Sequence, residues 1–544
     1  MIARISSGPA LALVALIGLV GFVTLVTLPS TGHAQTAVGD SLWRVGKFDE
    51  ARAAYERAIA EDRNSVRANV RLAQFLANGS NIDSALVLLR AARARVPDDP
   101  DLLFTEATYL SWARRFPEAI ARYDSLIAKQ PGRDFDYVRV ARARTLSWSG
   151  RLEDARAGYA SILVDAPNDR DAKFGLAQVR AWTGDLTGAA QAYESLLTDD
   201  PDDPRVLIGL AAVRSWLGRP GTALRLLDRS ATRAPDDPDA ASLRAAILAQ
   251  NAPQFSIQQN YSEDSDINVN RWSIATARMT IGNVRSFLSW GALNATDPIR
   301  NSRRQAVDAG ASLPVGRVML SGALGTRVLR PTWRIASGNP VLPDRQVLTM
   351  RASAAMPVTA RVSATVGVAR WPFDEIASLL GRALDVDQQD LSVDWRATSK
   401  LRVSTNVTRL AFSDDNTRTT GSMRLAYPLA RGFTLNAYGI GFGFANRSTS
   451  YFSPSAFRAI EVGGGWAHDS PIWGALVSGG VGVQRIDTGL PMQSQWHLDA
   501  RVRRQITPRV DVEAFGARST SAAASAVGAY QYDLIGIGLL IKPR

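Results

Sequence analysis

The chain contains no cysteine and only three histidines, His33, His468 and His497. Without cysteine there are no thiol nucleophiles, no disulfides, no Cys-ligated zinc or iron–sulfur clusters, and no lipidated cysteine to hold the chain at a membrane. Three histidines exclude a histidine-rich metal site and leave most histidine-based hydrolytic mechanisms little to draw on. Charge is plentiful but unevenly placed. Across 544 residues, 63 basic and 51 acidic side chains leave a formal net charge of +12. Residues 36–250 carry 30 of each sign, whereas residues 255–544 carry 32 basic and 21 acidic, so the excess belongs to the C-terminal half. Such an excess can serve nucleic acid, anionic lipid or an anionic solute. A hydrophobic share of 46% with 21% charged residues is that of a folded rather than a disordered chain.

Arg4 precedes an apolar run from Ala10 to Leu28, followed by Pro29, Ser30 and the small-residue stretch Gly32-His33-Ala34. A basic start, an apolar core and small residues before a cut after Ala34 fit a secretory signal peptide over residues 1–34. The run is also long enough for an uncleaved inner-membrane anchor. Either way the remaining chain leaves the cytoplasm, which argues against a nucleic-acid partner.

Residues 36–250 repeat themselves. Ala51, Ala85, Ala119, Ala155, Ala189 and Ala223 are spaced by 34 or 36 residues. Four residues after each stands Tyr55, Leu89, Tyr123, Tyr159, Tyr193 or Leu227. Twelve before stands a small residue, and twelve after, from the second repeat on, stands Pro97, Pro131, Pro167, Pro201 or Pro235. Gly46, Gly150, Gly184 and Gly218 fall where the chain must turn between two helices. Small residues let paired helices approach, the aromatic fills the gap one turn later, and proline stops the second helix. This pattern matches the tetratricopeptide repeat in about six registers, with residues 238–250 as a terminal capping helix. Trp112, Trp148, Trp182 and Trp216 each lie seven residues before the reference alanine. They are either an aromatic track on which sugar rings stack or packing residues at the end of the first helix of each pair. Helical-repeat spacing favours packing. An array of this kind presents a surface to a protein partner and is read here as a scaffold.

After Gln254 the period changes to two. Leu391, Val393, Trp395 and Ala397 alternate with polar neighbours, as do Trp496, Leu498, Ala500 and Val502. One apolar and one polar or small face, over runs longer than the usual soluble strand of about 5–6 residues, predicts a transmembrane antiparallel β-barrel over residues 255–544. Tight turns are expected near Gly282-Asn283, Val315-Gly316, Thr359-Ala360, Ser399-Lys400, Arg431-Gly432, Ser470-Pro471 and Thr507-Pro508, with longer loops such as Pro331–Asp344 and Asn446–Ser455 between them. Seven short hairpins with one strand at each end give about 16 strands. Trp272, Trp290, Trp371, Phe412, Phe444, Trp466 and Trp473 fall near strand ends, where aromatic girdles are expected. The fold class is thus an all-α repeat solenoid followed by a membrane barrel. The array is expected in the periplasm and the barrel in the outer membrane of a Gram-negative-type bacterium, in contact with its lipid.

The layout resembles YaiO-like outer-membrane barrels with N-terminal tetratricopeptide repeats, and the exopolysaccharide export porins exemplified by the cellulose export subunit BcsC. The Trp-Ser-Gly-Arg style of repeat at Trp148–Arg151 is similar to that of YaiO-like proteins, and Tyr451-Phe452-Ser453-Pro454 looks like a Tyr-(Phe/Tyr)-Ser-Pro segment of these barrels. The array is shorter than in the cellulose exporters, and the chain ends in Lys542-Pro543-Arg544 rather than a terminal aromatic. The resemblance implies a barrel that passes or assists a polysaccharide, with the array binding a periplasmic or inner-membrane protein. The competing reading is an envelope-organising protein whose barrel is an anchor.

A barrel of this size can hold a polar, water-filled lumen. The expected inward residues are Asp390, Asp394, Arg396, Arg402, Arg424, Glu461, His497, Asp499, Arg501, Arg503, Asp511 and Glu513. They either create a transverse field that loosely holds a passing polar chain, or pair with one another and keep the wall wet. His497 beside Asp499 hints at a hydrolase, but no Gly-x-Ser-x-Gly elbow accompanies it. The expectation is no enzyme, no cofactor and no metal. Gly439-Ile440-Gly441-Phe442-Gly443 lies within an expected strand and is no phosphate loop.

Overall fold

The computed structural model describes residues 31–79, 81–129, 136–334, 343–524, 528 and 531–542. Residues 1–30, which hold most of the expected signal peptide, Pro131 of the repeat pattern, most of the Pro331–Asp344 loop and the last two residues lie outside this set. The chain forms two compact units, residues 1–158 and 159–544.

In the first unit, helices pair in sequence: α1 (Thr31–Arg44) with α2 (Phe48–Glu61), α3 (Val66–Asn78) with α4 (Ile82–Arg95), and α5 (Pro100–Trp112) with α6 (Phe116–Lys129). Then follow α7 (Asp136–Trp148) and the start of α8 (Leu152–Asp165). Ala51, Ala85 and Ala119 are fully buried, as are Tyr55 and Tyr123, so the small residue and the aromatic fill one seam. Side chains of Ser65, Asn81 and Asp99 cap the following helices by accepting backbone N–H bonds. The turn glycines adopt left-handed backbone, φ 79° at Gly46 and 83° at Gly150, a region that side-chain-bearing residues avoid. Arg114 takes the same conformation, φ 60°, in one of the two repeats that lack the glycine.

The second unit opens with the rest of α8, followed by α9 (Arg170–Thr183), α10 (Leu186–Asp199), α11 (Pro204–Trp216) and α12 (Pro220–Ser230), and ends its helical part with α13 (Pro238–Gln250). Ala189, Ala223, Tyr159 and Tyr193 are buried, as is Ala155 at the end of the first unit. Gly184 and Gly218 are left-handed at φ 86° and 75°. The four repeat tryptophans depart from the packing expectation. Trp112, Trp148, Trp182 and Trp216 retain 48%, 43%, 39% and 52% exposure. Each sits in the last turn of its helix, where the chain swings away and leaves the indole incompletely covered; Trp112 leans on Tyr109 at 5.2 Å.

Sixteen antiparallel strands follow. They are β1 (Gln254–Asp264), β2 (Val269–Ile281), β3 (Val284–Thr296), β4 (Asn301–Val315), β5 (Val318–Arg330), β6 (Arg345–Pro357), β7 (Val362–Pro372) and β8 (Asp385–Arg396). The second half holds β9 (Arg402–Phe412), β10 (Thr417–Pro428), β11 (Phe433–Phe444), β12 (Phe457–Asp469), β13 (Trp473–Arg485), β14 (Gln493–Thr507), β15 (Val510–Ser519) and β16 (Tyr532–Ile541). Each strand pairs with its sequence neighbours, and β1 pairs with β16 through Phe255↔Ile541, so the sheet closes with no free edge. The seven expected turns are all short, and they lie at the same end as the start of β1 and the end of β16. The exposed face carries Leu288, Leu324, Leu348, Val366, Ile460 and Ile535, the apolar belt that bilayer contact requires. Among the described residues no helix is long and apolar enough to cross a membrane.

The aromatic girdle needs correction. Trp290 and Trp473 are exposed as expected, but Phe412 and Phe444 are buried, and Trp272 and Trp371 pack against buried clusters. These four fill the loop-end mouth. A strand-end position does not reveal whether a ring turns outward or inward.

Candidate functional site

Strand register decides which side chains face the lumen, because directly paired residues share a face. Asp390, Asp394 and Arg396 alternate with the exposed Leu391 and Trp395; Glu461 lies between the exposed Ile460 and Val462. His497, Asp499, Arg501 and Arg503 alternate with the exposed Trp496, Leu498 and Val502. Arg402 pairs with Arg396, Arg424 with Ser404 opposite Asp394, Glu513 with Arg503, and Asp511 with Gln505. All twelve therefore project from the face opposite the apolar belt.

They separate into groups. Near the middle of the wall, His497 Nδ1 is 2.7 Å from Glu461 Oε1 and Nε2 is 3.4 Å from Asp499. Glu461 reaches β14 from β12 by lying over Gly480 of the intervening β13, where a Cβ would stand 2.4 Å from its carboxylate oxygen. The Arg424 guanidinium lies 5.4 Å from the ring centroid of Tyr438, itself paired with Glu461. Arg501 meets Glu513 at 3.3 Å. Asp511, nearly fully buried, holds Lys542 at 2.9 Å and has Arg503 at 3.8 Å, close to the short-turn end. Ser404 donates to Asp394 at 2.5 Å, and Gln388 donates to Asp390 at 2.9 Å. Arg396 turns away from the lumen centre, donating to the Ala360 carbonyl and, at 3.2 Å, to that of Thr183 in α9.

A feature absent from the sequence reading lies across the mouth. The connection between β7 and β8, residues 373–384, folds inward around a single helical turn, α14 (Ala377–Leu380). Its base is closed by the Phe373 N–H donating to the Leu384 carbonyl at 2.9 Å. On one side, Ala377 and Leu380 pack against Leu293, Ala295, Leu329 and Val347 of β3, β5 and β6. On the other, Phe373, Ile376 and Leu379 join Leu410, Phe412, Phe442 and Phe457 of β9, β11 and β12. Reaching both walls, the loop spans the lumen. Polar contacts latch it: Arg304 donates to Asp374 at 2.8 Å, Ser302 to the Ala377 carbonyl at 3.3 Å, and Asn270 to the Glu375 carbonyl at 3.2 Å. Burial pushes the carboxyls of Asp374 and Glu375 above the usual carboxylate range, while Arg304 and Arg418 respectively pull them down.

The resemblance segment belongs to this mouth. Tyr451 is buried in the same cluster, with Asn416 donating to its hydroxyl at 2.9 Å and that hydroxyl donating to Asp414 at 3.0 Å. Phe452 packs against the cluster, Ser453 accepts the Ser448 N–H at 2.6 Å, and the Pro454 carbonyl accepts the Phe444 N–H at 3.0 Å. The segment thereby folds the β11–β12 loop back over the opening. Arg304, Asp374, Glu375 and Arg418 were invisible to a search for alternation. The available signal was the apolar content of Phe373–Leu384, unusual for a connection exposed to water.

Within the second unit, the array's last repeats touch the short-turn end. The Gly221 N–H donates to the Gly282 carbonyl at 3.1 Å, and Thr222 N–H to Asn283 Oδ1 at 3.1 Å. Asn283 returns a bond to the Thr222 hydroxyl at 3.0 Å, and Arg219 donates to the Gly316 carbonyl.

Residues 42–103 and 183–247 match one tetratricopeptide repeat family model, and residues 140–204 match a second. The helical part is a tetratricopeptide-repeat array. No curated protein sequence matches the chain. Among solved structures, the chain is similar to a bacterial polysaccharide outer membrane secretin at 13% identity, over 54% of this chain and 99% of that one, with a TM-score of 0.43. CdiB from Acinetobacter baumannii aligns at 10% identity over 53% of this chain and 60% of its own, TM-score 0.38. Pseudomonas aeruginosa PilF aligns at 16% identity over 40% of this chain and 97% of its own, TM-score 0.33.

Proposed function

We propose that the barrel passes a polar polymer, most simply an exopolysaccharide, across the outer membrane, and that the repeat array lies in the periplasm and docks a protein of the periplasm or inner membrane. The observation that carries this reading is the polar wall beneath the inward loop. Ionisable groups line it from β8 to β15, while the strands β4 and β12 stand eight apart in the closed ring of sixteen and thus face one another. Across the lumen, Arg304 and Arg327 are neutralised by Asp374 and Asp308 respectively, so the groups left to hold a polar solute weakly are those of the β12–β14 wall, Glu461, His497 and Asp499. The array's contacts with the short turns support periplasmic placement, since those turns face the periplasm in barrels of this type. The loop across the mouth acts as a gate. No enzymatic chemistry is assigned to the chain, and no cofactor.

The anchor reading draws on that same loop, whose aromatic packing suits a permanently closed mouth. Planar-bilayer recordings on the full chain separate the two. Replacing residues 374–383 by a short Gly-Ser linker is expected to give stable conductance that long oligosaccharides interrupt. A barrel that stays closed after this change, while still showing heat-modifiable gel migration, supports the anchor.

A further inference from the structure

Beneath the gate, the inner wall is not smooth. Arg424, Tyr438, Glu461, Gln495, His497 and Asp499 surround a recess of about 420 Å³, whose lining includes Gly463 on the lumen face. The space lies within the range of small-ligand sites and faces the lumen. We infer that this recess is a binding subsite for an uncharged, hydroxyl-rich sugar unit of the passing polymer, an assignment that rests on the export reading above.

Each part of the chemistry points the same way. The carboxylates of Glu461 and Asp499 accept hydroxyl donors, and the Gln495 amide both donates and accepts. The Tyr438 ring offers an apolar surface, held in place by the overlying Arg424 guanidinium. The signs do not favour a charged unit. Two carboxylates oppose one arginine, with His497 bridging them at 2.7 and 3.4 Å, so a uronate would meet Asp499. An ammonium would instead meet Arg424 and compete with His497. Glycine is needed to build the site: with a side chain at position 480, Glu461 could not cross β13 to reach His497.

The test is equilibrium binding to the full chain in detergent micelles, followed by saturation-transfer NMR. Its probes are a neutral glucose pentamer, a glucosamine pentamer and a uronate pentamer. The neutral pentamer is expected to bind best, and Glu461→Gln and Gly480→Ala are each expected to weaken it about tenfold. Gly480→Ala keeps every polar group and moves only Glu461, and gel migration on heating checks that both variants fold. No binding, binding indifferent to both variants, or preference for the charged pentamers would overturn the inference. Conductance is measured separately on the same proteins. A conducting barrel without pentamer binding defeats the subsite alone, whereas binding in a barrel that stays closed after loop replacement defeats export and with it the subsite's assignment to a passing polymer.

Discussion

Asp203 shows how much one side chain contributes to the array. It caps α11 by accepting the N–H groups of Arg205 and Val206 at 2.9 and 3.3 Å, and it accepts Arg170 Nη2 at 2.6 Å. Burial alone would raise its pKa; the Arg170 hydrogen bond and the capping N–H groups outweigh burial and hold it below the usual carboxylate range. A lowered folded value means that the contribution is complete above the ordinary Asp pKa and is lost as pH falls through the folded one. Helical melting of the full chain, followed by circular dichroism, is therefore expected to shift to lower temperature below about pH 4. Asp203→Ala is expected to cost about 1–2 kcal/mol at neutral pH and to flatten part of that dependence. Equal melting of variant and parent throughout would remove the cap from the account. Much at this scale was legible beforehand: Ala189, Tyr193 and Gly184 were placed by spacing, and spacing alone dictates a seam and a left-handed turn. The tryptophans were not, because a period gives a position on a helix but not whether the neighbouring turn covers it.

Among the elements, the β7–β8 loop concentrates the consequences. Arg304→Ala leaves the buried Asp374 carboxyl without its guanidinium partner, and breaking a buried pair on one side costs about 3–5 kcal/mol, enough to undock a loop. Bilayer conductance is expected to rise in this variant; unchanged conductance would show that the apolar contacts alone hold the loop. The direction of pH dependence also follows. Docking raises the carboxyl pKa values of Asp374 and Glu375, so the docked loop binds protons more tightly than the free one. Its stability is complete in acid and declines as pH rises through the raised values, and open-channel activity is expected to increase from acidic to alkaline buffer. The opposite trend would contradict the latch. The strands themselves were readable, since alternation over long runs and the turn pairs such as Gly282-Asn283 are written in consecutive residues. The loop was not, for its partners lie on strands far along the chain and its own residues carry neither period.

At the scale of the whole molecule, the absence of cysteine becomes a tool. A chain bearing Thr222→Cys and Asn283→Cys, whose parent side chains are hydrogen-bonded at 3.0 Å, has no other thiol to pair with. A disulfide visible as a reductant-sensitive gel shift is expected if the last repeats rest on the short turns in cells, and its absence under oxidising export would deny that contact. The ring of strands has one seam unlike the others. Fifteen neighbour pairs join strands consecutive in sequence, but β1 meets β16 across the entire length of the barrel segment. The repeats, built from local contacts, fold early; the seam needs the final strand to exist before its first hydrogen bond can form. Until then one edge of β1 stays unpaired beside the helices, and a chain without β16 would leave a curled sheet with two sticky margins where a wall should be.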